Sequence, residues 1–189
     1  MTGGGAVTGP VLHTARLRLR VVEEQDAPVA AQLMTAAVSQ WLASWPSPLD
    51  EAGAAARLRR MRDATLQGQA LCLALEPREG AGLMGVVLVV RTKYDTRRGD
   101  LGYWLGEPFH RRGYMAEAAA AAVAEAFVRL DLDAIEAGAQ LENAASLALM
   151  RRLGMRPIDE RPVWADARGR EERCAYYEIR RAEHAAQHV

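Results

Sequence analysis

The chain is poor in lysine and cysteine, and no run of apolar residues is long enough to span a bilayer, so a transmembrane helix is not expected. Of its 24 basic residues only Lys93 is a lysine; with the abundance of alanine, this reads as genome composition rather than chemistry. Its two cysteines, Cys72 and Cys174, stand far apart in apolar surroundings, which suits two reduced buried thiols better than a disulfide or a metal pair. The four histidines are isolated and no ligand spacing recurs, so no metal is expected. A formal net charge of zero argues against a general nucleic-acid or anionic-membrane binder. The opening MTGGGAVTGP has neither the charged start nor the apolar core of a signal peptide, which leaves the cytoplasm as the expected compartment. Neither common nucleotide loop is present: there is no GxxxxGK[ST], and no GxGxxG opens a helix.

What is present suits one globular domain. The 189 residues are half hydrophobic and one quarter charged, enough to bury a core, and are read as a leader over 1–10 followed by a domain over 11–189. The organising stretch is GDLGYWLGEPFHRRGYMA, residues 99–116. Gly99 to Leu105 reads as a strand with Leu101, Tyr103 and Leu105 on one face and Gly102 and Trp104 on the other. Pro108 ends it, and His110 to Met115 forms a short donor-rich loop. Ala116 to Leu130 then has strong helix-forming composition. A strand, a glycine turn and a helix start put free N–H groups and a positive dipole end at one spot, with Arg111 and Arg112 adding charge. The alternative is an ordinary strand-to-helix turn carrying two solvated arginines.

Leu12 to Val22 alternates as a first strand, and Asp26 is placed to cap a helix over Ala27 to Val38. Trp41 and Trp45, beside Pro46 and Pro48, are either core plugs or the wall of a pocket. A second helix runs from Asp50 to about Gln67, its arginines read as a solvated face. Strands at Ala70 to Glu76 and Leu83 to Arg91 lead through a polar connector, carrying Tyr94, into the central strand. Ala134 to Gln140 is a further strand, Asn143 caps a helix ending at Gly154, and Ile158 to Trp164 with Arg173 to Arg181 form a closing hairpin. The fold class is α/β (α+β): one mixed, mostly antiparallel sheet of about seven strands with about four helices.

LHTARLRLR, GDLGYWLGEPFHRRGYMAEA and ENAASLALMRRLGM, in that order, resemble the GNAT superfamily of acyl-CoA-dependent N-acetyltransferases, and more narrowly its RimJ/RimL type, from about Leu12 to Arg181. The resemblance implies that His110, Arg111, Arg112, Gly113, Tyr114, Met115 and Ala116 hold the pyrophosphate of acetyl-CoA, here a co-substrate. It implies that the strand edge near Trp104 and Leu105 bonds the pantetheine arm, and that Asn143 and Ser146 lie near its thiol end. Asn143 also reads simply as a helix cap. His110 and Met115 depart from the family pattern, and Met150 stands where many relatives carry a tyrosine acid, which leaves Ser146 as the motif's proton donor. Asp100 occupies the place of a base acting through water; its other reading is a surface carboxylate at a strand end. Trp41, Trp45 and Tyr94 are the candidate contacts to the amine. The implied activity is transfer of acetyl to a primary amine, preferably a protein or peptide α-amino group, by a monomer or homodimer; a small-molecule amine acetyltransferase and a non-catalytic acyl-CoA-binding module are the alternatives.

Overall fold

The structure is a computed structural model and describes residues 9–186. The expected leader falls largely on residues 1–8, outside the described residues; Gly9 already packs on Val21, where a Cβ would come within 2.2 Å. The strands are β1 (Val11–His13), β2 (Leu17–Val21), β3 (Ala70–Pro77), β4 (Gly85–Arg91), β5 (Arg98–Leu105), β6 (Ala134–Gln140), β7 (Arg156–Ala165) and β8 (Arg170–Arg180). The helices are α1 (Ala27–Leu33), α2 (Ala36–Ser39), α3 (Glu51–Leu66), α4 (Tyr114–Arg129), α5 (Ala144–Arg152) and α6 (Arg181–Ala186). One sheet runs in the order β1-β2-β3-β4-β5-β6-β8-β7, antiparallel except where α4 carries the chain from β5 to a parallel β6.

The fold class is as the sequence reads, with a finer division. The single strand expected over Leu12 to Val22 is a hairpin, because Thr14 turns the chain: its N–H donates to the Leu17 carbonyl at 2.9 Å and its hydroxyl to Glu117 at 2.5 Å. The helix expected over Ala27 to Val38 breaks at Met34 and Thr35, whose backbones leave the helical region. Asp26 does not cap it with its side chain; the carboxylate is buried against Arg20 at 2.5 Å instead. Asp50 does cap α3, accepting from the Gly53 N–H at 2.8 Å.

Both faces of the sheet are covered. Leu17, Leu19, Leu71, Leu73, Leu75 and Leu101 face α4, whose inner surface of Ala118, Ala119, Ala122, Val123, Ala126 and Phe127 is mostly methyl-sized and seats the helix close to the strands. Ala70, Cys72, Ala74, Val86 and Trp104 face α1 and α3. This double burial explains why β3 reads as an unbroken apolar run. Cys72 and Cys174 are both free and buried. No helix among the described residues is long and apolar enough to cross a membrane.

Candidate active site

β5 and β6 are paired only over Arg98, Gly99 and Asp100, the last opposite Glu136. Beyond Asp100 the two strands separate, and β5 runs on to Leu105 with one edge open. The direction of its groups follows from the antiparallel ladder. Thr92 N–H donates to the Arg98 carbonyl and Gly106 N–H to Met84, so even-numbered residues of β5 bond towards β4. Tyr103 and Leu105 therefore turn their N–H and C=O into the fork. This corrects one expectation: the main chain of Trp104 belongs to the β4 ladder, and it is Leu105 and Tyr103 that offer an edge. His110 takes part of that edge, its Nε2 lying 2.7 Å from the Leu105 carbonyl, which fixes that nitrogen as the donor.

At the open end of the fork the chain passes into α4 through two left-handed residues, Arg111 (φ 59°) and Gly113 (φ 76°). Such a conformation costs a non-glycine residue of order 1–3 kcal/mol, and successive turns of this kind gather N–H groups into an anion-binding concavity. Gly113 is the N-cap of the 16-residue α4 and has no side chain to satisfy it; the first helical bond is from Glu117 N–H to the Gly113 carbonyl. The N–H groups of Tyr114, Met115 and Ala116 are thus left for a ligand at the positive end of the helix. The β1–β2 turn braces this end. Arg16 pairs with Glu117 at 2.7 Å, donates to the Arg112 carbonyl at 2.8 Å and lies over the Tyr114 ring at 4.6 Å. Sequence reasoning left Arg16 among the alternating arginines of a strand; its motif, LHTARLRLR, was the available signal.

A cavity of about 550 Å³ joins these parts. Its wall includes Trp104, Leu105, His110, Arg111, Gly113, Tyr114, Met115, Ala116 and Asn143, all of the expected cofactor set but Arg112, and the expected proton donor Ser146. Arg112 is not on the wall; its carbonyl is spent on Arg16. Tyr103 is on the wall although it was not chosen. Asn143 both caps and lines: Oδ1 accepts the Ser146 N–H at 3.1 Å, while its amide nitrogen has no partner among the described residues. The Tyr103 hydroxyl donates, at a long 3.5 Å, to the Ser146 carbonyl, and burial pushes the phenol's pKa up. Met150 is fully buried on the inner face of α5 and off the wall.

The cavity continues through the fork to the other side of the sheet, where Val38, Trp41 and Leu42 close it. Trp41 is 37% exposed there. Trp45 is core instead, 7% exposed and packed against Trp104 with ring centroids 5.5 Å apart. Tyr94 is 100% exposed on the β4–β5 turn and is brought to no wall of the cavity. The places of the two tryptophans follow from the α2–α3 loop, which is tied down by the Ser39 hydroxyl donating to the Trp45 carbonyl (2.6 Å) and by Arg168 donating to the Ser39 and Leu42 carbonyls.

Asp100 stands at the closed end of the fork, on the Trp104 face of β5 and off the cavity wall. Around it Glu136 pairs with Arg98 and with Arg161 (2.6 Å), and Glu178 with Arg98 and Arg180. Arg161 also stacks on Tyr176 at 3.6 Å, and that ring lies flat over Gly138, where a Cβ would come within 2.6 Å. Asp100 alone among these carboxylates has no hydrogen bond or ion pair among the described residues. Although exposed, it is crowded enough by protein for its carboxyl to be lifted above the usual range, with Glu136 adding to the lift and Arg161 and Arg98 opposing it. Among the described residues no cluster of His, Cys, Asp and Glu gathers as a metal site.

The sequence matches the family described as "Acetyltransferase (GNAT) domain" over residues 16–156. A curated relative, the uncharacterized N-acetyltransferase p20 of Bacillus licheniformis, is 28% identical over 160 residues, covering 84% of this chain and 89% of its own length. Among solved structures, the RimL ribosomal L7/L12 α-N-protein acetyltransferase in complex with coenzyme A superposes with a TM-score of 0.78 at 18% identity, over 92% of this chain and 99% of that one. The microcin C7 self-immunity acetyltransferase MccE, in complex with acetyl-CoA and AMP, gives 0.76 at 16% identity, over 88% and 93%. At such identities these likenesses speak for the fold.

Proposed function

The chain belongs to the GNAT acetyltransferase family, and on that premise we propose that it moves the acetyl group of acetyl-CoA to a primary amine, preferably the α-amino group of a peptide or protein. The observation that carries this reading is one continuous cavity with an anion nest at one end and an open strand edge along it, and an unpaired carboxylate outside its wall at the closed end of the fork. The nest of Arg111 to Ala116 takes the diphosphate, and the Leu105 and Tyr103 edge takes the amide-bearing arm as an added strand would. The acetyl carbonyl is then held within the fork by a strand N–H, which stabilises the oxyanion as it forms.

The two faces of β5 divide the work. The amine arrives on the side of Asp100 and Trp41, and the thiolate departs on the side of Ser146, so attack and departure need no shared path. Asp100 lies three residues, about 10 Å, from Tyr103 along the strand, a span that calls for a water to carry the amine's proton. That geometry favours an amine that is easily neutralised. An α-amino group with pKa near 8 needs about 3 kcal/mol less help at neutral pH than a lysine near 10.4. A RimL-type neighbour that is an α-N-protein acetyltransferase supports the same preference.

The test is calorimetric titration with acetyl-CoA, followed by a turnover screen over peptides with free α-amino groups, lysine peptides, polyamines and aminoglycosides. Micromolar binding and fastest turnover on α-amino peptides is expected. Binding without turnover on any amine would make this a non-catalytic acyl-CoA module, and equal rates on lysine peptides would remove the α-amino preference. Fastest turnover on a small amine would make this a small-molecule amine acetyltransferase instead.

A further inference from the structure

The cavity wall carries two phenols, and they stand at different depths. Tyr114 is at the anion end, its ring under the Arg16 guanidinium. Tyr103 lies two residues deeper along β5 than Leu105, on the face of the sheet that α5 covers, and its hydroxyl reaches the Ser146 carbonyl in the first turn of that helix. Other groups nearby are occupied or incapable. His110 is committed to the Leu105 carbonyl, Met150 is buried and has no proton to give, and a serine hydroxyl such as that of Ser146 is a far weaker acid than a phenol.

We propose that Tyr103, rather than Ser146, donates the proton that the departing sulfur takes up. The inference rests on the acetyl-transfer reading above. The cavity's polarity supports it: an acyl donor anchored by its phosphates at the α4 N-terminus and laid along the open β5 edge runs from Leu105 towards Tyr103, so its sulfur end arrives at the depth of that hydroxyl. The step balances. The amine nitrogen bonds the carbonyl carbon and the C–S bond breaks with its electron pair on sulfur. The Tyr103 O–H proton passes to sulfur, and the phenolate recovers a proton from solvent, which receives the one lost by the amine through Asp100. The long 3.5 Å bond to the Ser146 carbonyl costs little to release, and it holds the hydroxyl on the wall until a better acceptor appears.

The deciding experiment compares Tyr103→Phe with Ser146→Ala in the full chain. Tyr103→Phe is expected to lower kcat on an α-amino peptide about thirtyfold or more, within the usual reach of a general acid. Its amine KM and acetyl-CoA affinity should hold within a factor of about two to three, and Ser146→Ala should lower kcat several-fold less than Tyr103→Phe does. A second readout needs no turnover. The wild type should bind CoA several-fold more tightly than desulfo-CoA at mildly alkaline pH, and Tyr103→Phe should erase that preference. If the wild type turns over peptides and Tyr103→Phe matches it, or if the preference for CoA over desulfo-CoA survives in Tyr103→Phe, the role of Tyr103 is wrong and the acetyltransferase reading stands. If the wild type turns over no amine at all, that reading falls and this inference with it.

Discussion

At the proposed anion end of the cavity, Gly113, Tyr114, Met115 and Ala116 are consecutive and would act through their main chain; at the proposed amine end, Val38, Trp41 and Leu42 meet Trp104 from a stretch some sixty residues away, with Asp100 beyond the wall, and would act through side chains. The first end is set by a local rule, that a glycine in a left-handed cap opens a helix with its N–H groups free. The second exists only because the α2–α3 loop is tied down across the sheet to Arg168 of the β7–β8 turn. A local device that works through its main chain should tolerate side-chain change, such as His110 and Met115. An assembled one can be lost by any slip of the loop that carries it.

The largest expected effect tests which residues the assembled end is made of. Trp45→Ala should cost about 3–5 kcal/mol of stability, the usual range for emptying a buried aromatic site, because the ring is core against Trp104. Trp41→Ala, on a half-exposed wall, should leave stability nearly unchanged and raise the amine KM a few-fold. Denaturant titration of both variants checks this; a stable Trp45→Ala protein with a raised amine KM would return Trp45 to the wall.

Asp100→Asn comes next. It should lower kcat/KM for the amine about a hundredfold while acetyl-CoA affinity is unchanged, since the carboxylate lies off the cavity wall at the opposite end from the nest. The pH profile sharpens this. Because the Asp100 carboxyl is held above its usual range, the acid limb of kcat/KM that requires it ionised lies above that of an ordinary aspartate, and Asp100→Asn should lack that limb. Gly113→Val should do the reverse, weakening acetyl-CoA about thirtyfold by forcing a β-branched residue to φ 76°. Space is not the obstacle: the nearest atom to a Cβ there is the Arg16 guanidinium at an ordinary 3.5 Å. Gly113→Val with unchanged affinity in calorimetry would mean that the anion site is elsewhere.

The same contrast decides what was legible in the sequence. β6 was read at its observed bounds and β5 within one residue, because period-two patterns and a proline stop are local signals. The glycine turn and the Asn143 cap were legible for the same reason, although α4 begins at Tyr114, two residues ahead of the expected Ala116. The division of Leu12 to Val22 into two strands was not, since it depends on Thr14 meeting Glu117 across 103 positions of chain. Nor was the fate of the two tryptophans: four residues apart in one short stretch, they separate only when Ser39 binds the Trp45 carbonyl and turns that ring inwards. Tyr103 was placed on the correct face but given no role, because nothing in its own strand says that the facing helix will open beside it.

The smallest effect concerns Arg16, where the two kinds of construction meet, since a distant turn braces a local device. The Arg16–Glu117 pair is half-exposed and by itself is worth at most about 1 kcal/mol. Arg16 also holds the Arg112 carbonyl, however, just before the left-handed Gly113, so Arg16→Ala should loosen the nest and weaken acetyl-CoA about fivefold with little loss of fold. The pH dependence identifies the cause. Burial pushes the Glu117 carboxyl up, but hydrogen bonds from Thr14 and from the Arg16 main chain and guanidinium outweigh it and leave the carboxyl below the usual glutamate range. A depressed folded-state pKa gives stability that is present above the unfolded value and is lost as pH falls through the folded one. The stability gap between wild type and Arg16→Ala should therefore be widest near neutrality and close in acid below the ordinary glutamate range. A gap that persists there would assign the brace to the Arg112 carbonyl and the Tyr114 ring, contacts that do not depend on the Glu117 charge.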